Sequence, residues 1–116
     1  MAFLSNRRVC RYISTNVFLR QKIQLHFEEV QGESGLAPLV IAHGMLGSCN
    51  NWTSLSKSIN RQTGRRIITF DARNHGASPH SGSMDYDIMS KDAINFIQED
   101  LGIEKAVLMG KYPHKF

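Results

Sequence analysis

A four-residue apolar run, Leu39-Val40-Ile41-Ala42, opens directly into His43-Gly44-Met45-Leu46-Gly47-Ser48, and a helical pattern begins near Asn51. This junction constrains the rest of the chain most strongly. A short, fully apolar run ending in a glycine-bearing turn reads as a buried parallel strand feeding a loop. The two glycines let the backbone bend where side chains would clash. Such a loop can aim a main-chain N–H into open space, the requirement for stabilising a developing oxyanion.

The chain around the junction alternates strands and helices. Residues 22–30 alternate polar and apolar, with Ile23, Leu25 and Phe27 on one side, which predicts a half-buried strand with His26 on its solvated side. Gly32, Gly35 and Pro38 mark the following turn. Ser48 or Asn50 is the expected cap of a helix with Trp52, Leu55 and Ile59 on its apolar face, ending at Thr63-Gly64. Trp52 is expected in the core. Ile67-Ile68-Thr69-Phe70 predicts the third strand, and Asp71-Ala72-Arg73-Asn74-His75-Gly76-Ala77-Ser78-Pro79 is the polar loop at its carboxyl end, where open α/β sheets place ligands. A helix is predicted over 85–101, with Asp85 and Asp87 at its positive end, and then a fourth strand, Ala106-Val107-Leu108-Met109, ending at Gly110. Repeated βα alternation argues for an α/β fold with a mostly parallel sheet.

Charge divides the chain unevenly. Residues 1–27 hold Arg7, Arg8, Arg11, Arg20 and Lys22 and no acid, leaving nine of the 14 basic residues against all ten acids in the remainder. The net charge of +4 is thus an N-terminal property and does not indicate a nucleic-acid surface. An arginine-rich, acid-free start with Ser5, Ser14 and Thr15 predicts a mitochondrial transit peptide over 1–20 and a matrix location. The competing reading is a disordered basic tail. No apolar run approaches the ~20 residues of a membrane span. With Cys10 in the leader, Cys49 is the one cysteine of the body and no internal disulfide is expected. No histidine partner for Cys49 can be argued from spacing, so it reads as a loop or helix-start residue. His75 and His80 lack a third ligand at a recognisable spacing, so neither metal nor cofactor is expected.

Taken together, His43-Gly44-x-x-Gly47, the helix carrying Trp52, Asp71-x-Arg73-x-x-Gly76-x-Ser78 and Val107-Leu108-Met109-Gly110 resemble the N-terminal half of an α/β-hydrolase over residues 21–110. The resemblance implies an incomplete, mostly parallel sheet from a serine hydrolase of carboxylic esters, acylglycerol lipids among them. It makes the Met45 N–H the oxyanion donor. His43, Gly44, Gly47, Asp71, Arg73 and Gly76 become loop supports, with His43 structural rather than basic and Ser48 and Ser78 as turn or cap residues.

The departure comes after Gly110. Where the family continues Gly-x-Ser-x-Gly, this chain reads Gly110-Lys111-Tyr112-Pro113-His114-Lys115-Phe116. The nucleophile position is occupied by Tyr112, a phenol with a pKa near ~10 and no argued base. His114 is not small enough for the tight turn. Pro113 has no N–H to serve as the second oxyanion donor. Residues 111–116 therefore read as a divergent tail, with no catalytic residue assigned beyond the vacant role at Tyr112. The expectation is an inactive, C-terminally truncated product. The alternative is a non-catalytic module that pairs with a protein partner through Ala106-Val107-Leu108-Met109 as an uncovered edge strand. Relatives with an aspartate nucleophile carry the same half-motifs.

Overall fold

The computed structural model describes residues 2–5, 22–44 and 47–110. Among these residues five strands form one sheet: β1 (Ala2–Ser5), β2 (Phe27–Val30), β3 (Leu39–Ala42), β4 (Ile67–Phe70) and β5 (Lys105–Gly110), in the spatial order β1-β5-β3-β4-β2. The three inner strands run parallel, β3 lying between β4 and β5, and both outer strands are antiparallel to their neighbours.

Alternation along β3 divides the core. Val40 and Ala42 join Leu25, Ile68, Phe70, Phe96, Ile97, Ile103 and Ala106 on one face. Leu39 and Ile41 join Ile67 and Val107 on the other, where Trp52 and Ile59 pack. Helix α1 (Thr53–Thr63) covers the second face. Helix α2 (Tyr86–Asn95), continued by a wider π turn over Phe96–Asp100, covers the first. The result is a three-layer α/β arrangement, because a parallel sheet with apolar residues on both faces must be covered on both.

Several local expectations change. The strand expected over 22–30 shortens to β2, although Ile23 and Leu25 still pack into the core. Leu55, expected on the apolar face of α1, is 46% exposed. Gly64 ends α1 in the left-handed region and donates to the Asn60 carbonyl, whereas α2 starts as expected, the Asp85 carboxylate accepting from the Ile88 N–H.

The expectation that Ala106-Val107-Leu108-Met109 forms an uncovered edge is overturned. β1 pairs with Lys105–Leu108, Ala2 opposite Leu108 and Ser5 opposite Lys105, so the outer edge of Ala106, Val107 and Leu108 faces a strand from the chain's own start. That removes the physical basis for the partner-pairing module. Four residues expected to stand outside the fold thus belong to its sheet. Among the described residues, no helix is long and apolar enough to cross a membrane.

Candidate active site

Register brings three chain segments to one end of the sheet. Ala42 lies opposite Phe70 on one side and Gly110 on the other, so the His43 loop and the Asp71 loop leave the sheet side by side, next to the end of β5. This is the carboxyl end of the parallel strands, where crossovers on opposite faces leave a crevice for a ligand.

His43 is buried and both its ring nitrogens are engaged. Nε2 accepts from the Ala72 N–H at 3.0 Å, which fixes the proton on Nδ1, and Nδ1 donates to the Gly44 carbonyl at 2.7 Å. The imidazole thus ties its own loop to the one after β4. The ring of His75 packs against it at 5.0 Å between centroids, and the His75 Nδ1 donates to the Arg73 carbonyl. The Gly44 carbonyl also accepts from the Gly47 N–H at 2.9 Å, closing the turn. A Cβ at Gly47 would lie 3.3 Å from that same oxygen. Met45 and Leu46 lie outside the described residues, and with them the oxyanion assignment to the Met45 N–H. Lys111, Tyr112 and the rest of the 111–116 tail lie outside as well, as do residues 6–21 of the expected leader.

Asp71 is the electrostatic centre of the site. Its Oδ1 accepts from the Cys49 N–H at 2.7 Å and its Oδ2 from the Ala77 N–H at 2.9 Å. Cys49 opens the short 3-10 turn Cys49–Trp52 that leads into α1. The buried positive end of that turn is thus satisfied by a carboxylate 22 residues away. Ser48, expected as the cap, makes no side-chain cap bond. Burial alone would push the Asp71 carboxyl upward, but the Cys49 and Ala77 N–H groups, with the Cys49 thiol, outweigh it and hold the pKa below the usual carboxylate range. The Cys49 thiol is pushed up to about 12, by burial first and by the neighbouring Asp71 charge second. A thiol held in that form is a poor nucleophile.

Gly76, at φ +49°, folds over the same carboxylate, and a Cβ there would overlap it. Ser78 donates to the Asp71 carbonyl at 2.5 Å and accepts from the His26 N–H at 2.9 Å, fastening the loop to the residue before β2. Arg73 is 5% exposed and grips Asp92 of α2 with two nitrogens, at 2.5 and 2.8 Å, while a third donates to the Ser83 carbonyl at 3.0 Å. The pairing with Asp92 raises the Arg73 pKa. Asp92 escaped the sequence reading because no local spacing links it to position 73. Nor did spacing suggest that His26 stands beside Cys49 and Asp71.

A strand-end glycine loop and an acidic loop, locked by His43 and Asp71 at the carboxyl edge of a doubly covered sheet, define one architecture. A family model described as the alpha/beta hydrolase fold matches residues 37–111. The chain belongs to the α/β-hydrolase fold family. The relatives fit this membership. It is 39% identical to a zebrafish (Danio rerio) sn-1-specific diacylglycerol lipase ABHD11, over 89% of this chain and 32% of that protein. With the mouse (Mus musculus) protein of the same name it shares 41% identity over 76% of this chain and 28% of that protein. Among solved structures it resembles a marine microorganism esterase, with a TM-score of 0.66 and 36% identity over 74% of this chain and 31% of that one. The chain spans about a third of the length of these curated relatives.

Proposed function

We propose that this α/β-hydrolase chain carries the oxyanion-side half of a serine hydrolase site for carboxylic esters, acylglycerol lipids in particular, and that residues 1–116 by themselves do not turn over an ester. One observation carries the first part: the His43 and Asp71 loops are locked to each other and emerge in register with Gly110 at the carboxyl edge. The names of the diacylglycerol lipase relatives support the substrate class. The second part rests on Tyr112 and Pro113, which offer neither an activated hydroxyl nor a second N–H donor where such a site needs both.

Two experiments test this reading. The purified chain is expected to stay unlabelled by a serine-directed fluorophosphonate and to leave a p-nitrophenyl ester intact; stoichiometric labelling refutes the inactivity. A chimera joining residues 1–110 to the segment that follows the matching strand of the zebrafish relative is expected to label and to hydrolyse diacylglycerol. A folded chimera that does neither refutes the half-site assignment.

The arginine-rich start supports a matrix destination, tested by imaging residues 1–20 fused to a fluorescent protein. Diffuse fluorescence outside mitochondria would reject it. Removal of this leader would also take Ala2–Ser5 out of the sheet.

A further inference from the structure

We propose that His26, Cys49 and Asp71 form a binding site for a zinc-type divalent cation. Their ligand atoms, one imidazole nitrogen, one sulfur and one carboxylate oxygen, all lie within 4.8 Å of one another, although the residues come from three separate stretches of chain. The hydrogen bonds around them keep them together. The Asp71 N–H donates to the His26 carbonyl at 2.8 Å, and the Cys49 N–H donates to Asp71 Oδ1 at 2.7 Å. The His26 N–H is held by Ser78, whose hydroxyl is bound in turn to the Asp71 carbonyl. The three backbones are therefore fixed before an ion arrives.

The donor chemistry selects the ion. A sulfur, an imidazole and a carboxylate suit zinc and its cobalt substitute better than calcium or magnesium, which favour oxygen alone. In a tetrahedral site with zinc–sulfur and zinc–nitrogen bonds of about 2.3 and 2.0 Å, neighbouring ligand atoms stand about 3.5 Å apart. Reaching that from separations of no more than 4.8 Å needs a movement of at most about 1 Å. The exposed His26 side chain can supply it, since Cys49 and Asp71 are buried. Three protein ligands leave a fourth position for water on the His26 side. Binding breaks the Cys49 S–H bond and forms a metal–sulfur bond, and the proton passes to water. The two charges of the ion then meet one thiolate and one carboxylate. The ion would clasp the start of the turn before α1 to the loop after β4 and to the residue before β2.

The test is a Co2+ titration of the full chain, followed by its sulfur-to-cobalt charge-transfer band and by proton release. One equivalent should saturate the band with one proton released per ion, and Zn2+ should displace the cobalt. Cys10→Ser should leave both signals unchanged, and Cys49→Ser should abolish the band. His26→Ala should weaken binding at least about tenfold, the lower bound set by the cost of losing even an outer-shell partner. Because the His26 side chain is exposed, this variant decides the matter even where Cys49→Ser does not fold. Absence of the band, its loss in Cys10→Ser, or unchanged affinity in His26→Ala overturns the proposal.

Discussion

Asp71→Asn isolates the role of one carboxylate with little change in shape. The amide keeps one acceptor oxygen, and that oxygen will turn toward the buried Cys49 N–H, leaving the amide nitrogen toward Ala77. A hydrogen bond to a charged group contributes about 1.5–3 kcal/mol and a neutral one about 0.5–1.5, so the Cys49 bond weakens by about 1 kcal/mol. The Ala77 bond is lost, but Ala77 is exposed and its N–H can turn to water, so the loss stays near about 2 kcal/mol. Relief from burying a charge offsets part of the sum, giving a net destabilisation of about 2–3 kcal/mol. With a urea slope of about 1–3 kcal/mol per molar, the midpoint should fall by about 1–2 M. The sign of the pH dependence follows from the lowered pKa. The Asp71 contribution is complete above the unfolded-state value of about 4 and is lost as pH falls through the lower folded-state value. The gap between the two proteins should therefore narrow on acidification below about pH 4. A gap under about 0.5 kcal/mol at neutral pH, the range of an ordinary surface substitution, would refute the clamp.

Other substitutions probe the same frame. Asp92→Ala strands the buried Arg73 guanidinium and should cost about 3–5 kcal/mol in urea unfolding, whereas Arg73→Met combined with Asp92→Leu should recover most of it. Gly76→Ala meets both a left-handed φ and the Asp71 carboxylate, so it should cost at least about 1–3 kcal/mol, while Gly82→Ala, with no atom of the described residues within 4 Å, should leave the urea midpoint nearly unchanged. Ser56→Ala removes a buried hydroxyl that has no hydrogen-bond partner among the described residues and should be neutral or raise the thermal midpoint slightly.

The sequence made the scaffold legible where one signal dominated. β3 and β4 are short, wholly apolar and bounded by turn residues, and both fall where their composition places them. Gly64 and Asp85 likewise mark helix ends through local chemistry. Reading failed where a distant group took over a local role. Ser48 is a good capping residue by type, yet the Asp71 carboxylate reaches the Cys49 N–H and makes a local cap unnecessary. Leu55 satisfies helical spacing but faces outward, because Ser56 takes the inward position between Trp52 and Ile59. The site was legible as two loops. Their joining through His43 Nε2 and the Ala72 N–H, and the anchoring of Arg73 on Asp92, depend on helix placement that no spacing encodes.

The pairing of Ala2–Ser5 with Lys105–Leu108 sets a timetable for folding. A ribosome releases the first of these strands long before it makes the second, and every other strand and helix of the sheet is synthesised in between. The opening residues therefore wait, unpaired, until β5 has emerged. A long-range closure of this kind carries a large loop-closure cost and forms slowly. Until it forms, the outer edge of β5 is bare, and a neighbouring chain can compete for it.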